Sequence, residues 1–246
     1  MIRDIKIEIT PSKGFVLHKL NGQDWKLYYS ISGPLQNACN ICGYPLKSNE
    51  KCTHHKGLEL LSTPFCLEFV GYYQTDIQGR PTNHITKRVL EMKSLSSEKY
   101  YLELFLLLNT LYETLPNKGN IIWGMWVPST NQILNRIASD IIINNKLIIL
   151  NPLDFIDFNE RINDDKSRLR YVSNKYKKKQ DFPSQIEEIV NGNEGIVIDD
   201  LFHTGFTLGK IGKILENFSP KKIIGLVITR TTRGKHPMML RIPNIP

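Results

Sequence analysis

The first residues of the chain alternate, with isoleucines at 2, 5, 7 and 9 set among Arg, Asp, Lys and Glu, and this period of two predicts a half-exposed strand over 2–9. Residues 13–20 and 25–31 predict two more strands, and Asn21-Gly22 between them is a tight-turn signal. Together they predict a small antiparallel unit, read as a packing or partner-binding sheet. An uncharged run over most of 65–73 predicts a strand, with Cys66 as a plain core residue inside it. Residues 85–95, apolar at 85, 89, 92 and 95 with basic residues between, predict an amphipathic helix. Residues 100–115 are apolar on more than one face, which predicts a core helix that Pro116 stops. Further along, the pattern predicts a strand over 121–127, a helix over 133–143 and a short edge strand over 146–150. Ser184 caps a helix to 190, a turn at 192–195 enters a strand at 195–198, and a helix over 210–218 leads to a parallel strand over 223–229. Strands alternating with helices predict an α/β domain with a parallel sheet.

Length and composition narrow this. The 246 residues suffice for a full core, and 41% hydrophobic content with 23% charged residues fits a soluble globular chain. No targeting run opens the sequence, and the apolar stretch 141–150 is broken by Asn144, Asn145 and Lys146 and too short to span a bilayer. The expected location is the cytoplasm. There the four cysteines stay reduced and are better read as metal ligands than as disulfides. A net charge of +8 suits an anionic partner, either a polyphosphate or nucleic acid.

The chemistry concentrates in residues 195–208, Gly-Ile-Val-Ile-Asp-Asp-Leu-Phe-His-Thr-Gly-Phe-Thr-Leu. Residues 195–198 have the uncharged character of a strand buried on both faces, and Asp199 and Asp200 follow at its carboxyl end, where open α/β sheets bind ligands. His203, Thr204, Gly205 and Phe206 form the loop into the next helix. Gly205 permits a tight or left-handed turn, and amides converging there at a helix start suit a phosphate. Thr204 and Thr207 add hydroxyl donors. The two carboxylates would repel a phosphate at close range, so their place is on sugar hydroxyls, directly or through a hydrated cation. An acidic pair ending a buried strand is also found in receiver domains and dehalogenase-like phosphatases, or simply caps the next helix.

Cys39-x2-Cys42, nine intervening residues and Cys52-x2-His55 have the spacing of two zinc knuckles, and three thiolates with one imidazole complete a tetrahedron. Gly43 and Pro45 fit the turn after the first pair. His54 is the alternative fourth ligand, which the x2 spacing disfavours. A closed four-ligand site leaves no position for water, so a structural Zn2+ is expected rather than a catalytic one.

Asp-Asp-x-x-His-Thr-Gly-x-Thr at 199–207 resembles the phosphoribosyl pyrophosphate loop of type I phosphoribosyltransferases, with His203 where that family carries a small hydroxyl residue. The resemblance implies Asp199 and Asp200 on the ribose hydroxyls, His203, Thr204, Gly205, Phe206 and Thr207 on the 5-phosphate, and Mg2+ accompanying the substrate. With the four-ligand zinc ribbon ahead of it and a strand ending near Ile228-Thr229-Arg230-Thr231 behind it, the layout of 39–232 is similar to the ComF family, competence-associated proteins with a phosphoribosyltransferase domain behind a zinc ribbon. Val127, Pro128, Ser129 and Thr130, with Asn131-Gln132 beyond, lie where that family holds pyrophosphate. The arginines and the Arg-Gly pair of the family's longer loop are missing here.

Pattern and resemblance together divide the chain into a small β unit at 1–36, a zinc ribbon at 37–62, a type I phosphoribosyltransferase-like α/β domain at 63–232 and an extended tail at 233–246, the first and last lying outside the resemblance. Residues 154–179 are strongly charged, with Arg161, Arg168, Arg170, Tyr171, Lys175, Tyr176, Lys177, Lys178 and Lys179. They read either as a solvated flexible loop, from which an arginine could close over pyrophosphate, or as cations and rings on a single-stranded DNA path. The expected function is binding of phosphoribosyl pyrophosphate or a related ribose 5-phosphate compound, with transfer to an acceptor the sequence does not name. The alternative is a catalytically silent single-stranded DNA adaptor in uptake or recombination.

Overall fold

A computed structural model describes residues 5–9, 15–19, 27–29, 39, 41, 42, 44, 51–73, 84–95, 100–159 and 174–231. The Asn21-Gly22 turn, Gly43 and Pro45, Arg161 to Tyr171 of the charged stretch, and the tail over 233–246 lie outside them. At the start, β1 (Ile5–Ile9), β2 (Phe15–Lys19) and β3 (Leu27–Tyr29) pair antiparallel in that order, with Ile7 opposite Leu17 and Val16 opposite Tyr28.

The main unit contains β4 (Phe65–Tyr73), α1 (His84–Leu95), α2 (Tyr101–Glu113), β5 (Ile121–Trp126), α3 (Gln132–Asn144) and β6 (Ile148–Ile149). It continues with β7 (Ile156–Phe158), β8 (Tyr176–Lys178), α4 (Ser184–Val190), β9 (Glu194–Phe202), α5 (Phe206–Leu215) and β10 (Lys222–Thr231). Five strands form one parallel sheet in the order β4-β10-β9-β5-β6, flanked by helices as the strand–helix alternation predicts.

Pleating sends alternate residues of the central strands into two different cores. Ile196 and Ile198 of β9, with Ile224, Leu226 and Ile228 of β10, meet α1, α2 and α3. Val197 and Val227 face the other way, into a core shared with α4, α5, the β7–β8 ribbon and the cysteine-bearing segment near residue 42. The α3 stripe of Ile133, Leu134, Ile137, Ala138, Ile141 and Ile142 is buried, and Asn131 caps that helix by accepting from the N–H groups of Ile133 and Leu134 at 3.1 and 3.2 Å.

Four boundaries differ from the sequence reading. β9 does not end at Ile198; it runs through both acids to Phe202, because β10 continues beside it and pairs Thr229 with Leu201 and Arg230 with Phe202. The helix after the loop begins at Phe206, not at 210, since Gly205 already occupies its N-cap with φ of 79°. Ser184 is the first helical residue and Pro183 holds the cap position, whose fixed φ suits a helix entry. Part of 154–179 is an antiparallel ribbon, with Ile156 opposite Lys178, because the alternation of Ile156 and Tyr176 into the core anchors it.

The turn after α5 fastens the segment that enters β4. Glu216 accepts from the backbone N–H groups of Ser62 and Thr63, the latter at 2.7 Å, and pairs with Lys213 at 2.7 Å. Burial alone would raise this carboxyl, but Lys213 and the two amides hold it below the usual range. Charge-assisted hydrogen bonds of this kind are worth about 1.5–3 kcal/mol, so Glu216→Ala should lower the unfolding free energy by that order in denaturant titration. A depressed carboxyl pKa contributes stability that is complete above the ordinary value of 4.5 and is lost as pH falls through the lower folded value. Accordingly, the acid limb of the stability profile should be shallower in the variant.

Candidate functional site: the carboxyl edge of the sheet

Residues 203–205 connect β9 to α5 across the carboxyl edge. Gly205 is left-handed, and a Cβ there would meet the Leu58 and Phe202 side chains at 2.9 and 3.0 Å, so the turn is reserved for glycine by both conformation and space. No side chain caps α5. The N–H groups of Phe206, Thr207 and Leu208 precede the first intrahelical bond, from Gly209 to the Gly205 carbonyl at 2.7 Å, and so have no partner within the helix. The Thr204 hydroxyl is buried without a hydrogen-bond partner. The residues that carry these donors line a small recess together with Asp199, Leu201, Phe202, His203 and Gly205. The loop therefore presents several donors and the positive end of a helix to one small volume, an arrangement that suits a tetrahedral anion.

Asp199 and Asp200 are each only 9% exposed. Asp199 faces the recess, while strand alternation turns Asp200 to the opposite face of β9. The Asp199 carboxylate accepts from the Asp200 N–H at 2.9 Å, and the Asp200 carbonyl accepts from the buried Thr229 hydroxyl at 3.2 Å, so the backbone here is held firmly. The structure thus brings Asp199 together with His203, Thr204, Gly205, Phe206 and Thr207, and places Asp200 behind them.

Val127 and Pro128 leave β5 on the same edge, where the Val127 N–H donates to the Ile198 carbonyl at 2.9 Å. Ser129 is occupied locally: its hydroxyl accepts from the Asn131 N–H, and its carbonyl accepts from the Asn135 side chain, both at 3.0 Å. Thr130 is exposed. Tyr176 of the ribbon is buried, stacks on Phe158 and donates to the Pro128 carbonyl at 3.4 Å. That ring, read from the sequence as one open to stacking on bases, is a packing element. Lys178 lies over Phe182 and Phe218, and the Lys179 ammonium donates to the Leu153 carbonyl at 2.5 Å.

Cys39, Cys42, Cys52 and His55 are buried, and their ligand atoms all lie within 4.8 Å of one another. The Cys42 and Cys52 sulfurs are 3.7 Å apart, and the Cys39 sulfur is 3.4 Å from His55 Nδ1. A tetrahedron with metal–sulfur bonds of about 2.3 Å and metal–nitrogen bonds of about 2.0–2.1 Å has edges of about 3.8 and about 3.5 Å, so the donor set could hold a zinc-sized ion. His55 Nε2 faces Glu59 at 3.6 Å, an outer partner that fixes the ring with Nδ1 toward the sulfurs. His54 instead stacks on Tyr44 and gives its backbone N–H to Cys52. Burial pushes the Cys42 thiol up, with Arg230 pulling it back, and pushes Cys52 up to about 12. Burial also lowers His55, which favours the neutral, ligating imidazole.

Arg230, to which the sequence reading assigns no role in the site, is brought against the cysteine cluster. It is fully buried at the end of β10 and donates to the Cys42 carbonyl at 2.6 Å, the Cys42 sulfur at 3.1 Å and the His54 carbonyl at 3.4 Å. The available signal was a cation interrupting an apolar strand, which has to find a buried partner.

No protein-family model matches the chain, and no curated protein matches it. Among solved structures it is similar to a hypoxanthine-guanine phosphoribosyltransferase from Bacillus anthracis, 20% identical over 55% of this chain and 68% of that one, with a TM-score of 0.35. A hypoxanthine phosphoribosyltransferase from Staphylococcus aureus is 17% identical over 54% and 62%, and the L. donovani hypoxanthine-guanine enzyme is 12% identical over 53% and 67%, both with TM-scores of 0.33. No helix among the described residues is long and apolar enough to cross a membrane.

Elemental analysis of the purified protein should find about one zinc per chain. Cys42→Ser should lose it and Cys66→Ser should keep it. Because the thiols are raised by burial, zinc must displace their protons, so metal uptake should release protons into a weakly buffered solution and retention should fall as pH is lowered.

Proposed function

We propose that the carboxyl-edge loop binds the 5-phosphate of a ribose 5-phosphate compound, phosphoribosyl pyrophosphate in the first instance, in a protein of the ComF-like phosphoribosyltransferase kind. The observation that carries this is the convergence of the buried, partnerless Thr204 hydroxyl with the uncapped first turn of α5. A buried hydroxyl without a partner costs about 1–3 kcal/mol, and an anion in the recess would remove that penalty. Asp199, which lines the recess, would take the ribose hydroxyls. Asp199 offers an oxygen donor of the kind Mg2+ prefers, and Mg2+ would neutralise the diphosphate beside it; Asp200, on the opposite face of β9, would support that carboxylate through the backbone N–H it donates. Zn2+ on Cys39, Cys42, Cys52 and His55 would be structural, since all four positions are protein ligands. Transfer of the phosphoribosyl group to an acceptor is the further activity expected of this kind of site. The adaptor reading draws its support from the net charge of +8 and from exposed Lys177 and Lys178.

Calorimetric titration with phosphoribosyl pyrophosphate and Mg2+ should give saturable heat with the wild type. Thr204→Val removes one hydroxyl bond to a charged group and should weaken binding about tenfold, the equivalent of about 1.4 kcal/mol. Asp199→Asn should weaken it by at least as much. An absence of heat with the wild type, or equal binding by both variants, would refute the reading, and salt-sensitive retention of single-stranded oligonucleotides in its place would favour the adaptor.

A further inference from the structure

We propose that Arg230 is a positioning residue that ties the metal-binding unit to the phosphate loop, so that metal on the cysteines and His55 holds the loop in its anion-binding geometry. This rests on the phosphate-loop reading for its ligand, but not for its contacts. Two separate bridges connect the units. On the strand side, Arg230 stands opposite Phe202 on β9, and its guanidinium lies between the rings of Tyr44 and Phe202, at 4.7 and 5.2 Å. The same guanidinium holds the Cys42 carbonyl and sulfur. Phe202 in turn buttresses Gly205, three residues on.

On the helix side, Gly57 follows His55 by two residues and donates its N–H to the Thr204 carbonyl at 3.1 Å. A Cβ on Gly57 would lie 2.2 Å from the Phe206 nitrogen, and one on Gly209 would lie 1.9 Å from the Gly57 carbonyl oxygen. Backbone therefore rests on backbone where the amides of α5 emerge. Charge gives the coupling its direction. Among the described residues no carboxylate pairs with Arg230, and an isolated buried cation is costly. A divalent ion with three thiolates and a neutral imidazole carries one net negative charge, a counter-charge that no described carboxylate supplies to Arg230.

The test compares zinc-loaded and zinc-stripped full-length protein by amide hydrogen exchange. Stripping should speed exchange at residues 203–209 at least tenfold, leave α2 protected, and weaken ribose 5-phosphate binding about tenfold. In cobalt-loaded protein, Arg230→Lys and Arg230→Met should shift the thiolate-to-metal charge-transfer band, because the N–H to sulfur bond at Cys42 is altered or lost. Gly57→Ala keeps every ligand and Arg230, so it should retain one zinc per chain yet expose the loop to exchange. That variant decides the matter should Arg230→Met fail to fold. Unchanged loop exchange on stripping or in Gly57→Ala, or loss of protection in α2 as well as the loop, would overturn the coupling. If the wild type binds no ribose 5-phosphate, the functional reading fails while the exchange and cobalt spectra still report on Arg230.

Discussion

The contact on which the site depends is made between backbones. Residue 57 lies against the first turn of α5 so closely that side chains at 57, 205 or 209 would collide with main chain or packed core. Three glycines satisfy that condition together. Helix entry is usually stabilised by a Ser, Thr, Asp or Asn cap, and a cap at 205 would also occupy the amides with its own oxygen. Glycine at that position forgoes this stabilisation and leaves the donors for something else. The stabilisation comes instead from Gly57, whose N–H secures the loop from outside at the Thr204 carbonyl. The same approach fixes how far the His55 side of the metal unit can lie from the anion recess.

The acids and the bare amides pull an incoming ligand in opposite directions, and magnitudes decide how it must sit. Two like charges 4 Å apart at an effective dielectric of 20 repel by about 4 kcal/mol, whereas a helix terminus contributes about 0.3–1 kcal/mol and each charge-assisted hydrogen bond about 1.5–3 kcal/mol. Several direct hydrogen bonds therefore outweigh the helix dipole as a source of phosphate affinity. A bare phosphate beside Asp199 would lose much of that gain. On the proposed reading a ribose phosphate would avoid the loss, because its hydroxyls would stand between the carboxylate and the anion.

Much of this was legible in the residues, because local patterns fixed it. The buried run before Asp199, the glycine at the turn, the paired Cys-x2 spacings and the parallel α/β alternation each follow from nearest-neighbour rules. What escaped depends on contacts between residues far apart in the chain. β9 outruns its apolar core because β10 pairs with it as far as Arg230. The ribbon inside 154–179 exists because Ile156 and Tyr176 reach a core built by other elements, which a count of charges does not reveal. Arg230 sits 188 positions from Cys42, and no window of sequence joins them. The motif treats Asp199 and Asp200 as a pair, whereas period two along a strand puts neighbours on opposite faces.

The two helix entries at this edge differ in a way that bears on transfer. α5 begins uncapped at glycine, whereas α3 begins at Asn131, whose side chain already takes the N–H groups of Ile133 and Leu134. The loop before α3 is closed in the same manner: the Val127 N–H is bonded to Ile198, Pro128 has none, and Ser129 is tied to Asn131 and Asn135. Departing pyrophosphate gathers negative charge as its bond to the sugar breaks, and preorganised donors or cations must meet that charge for the step to be fast. Residues 127–130 include no cationic side chain, and Ser129 is taken up by Asn131 and Asn135. The first turn of α5 is thus left uncapped, whereas Asn131 already takes the N–H groups of Ile133 and Leu134 in α3. Should the edge hold a ribose diphosphate as proposed, residues 127–130 would offer its leaving group no cation, and charge neutralisation would fall to a metal ion carried in with it.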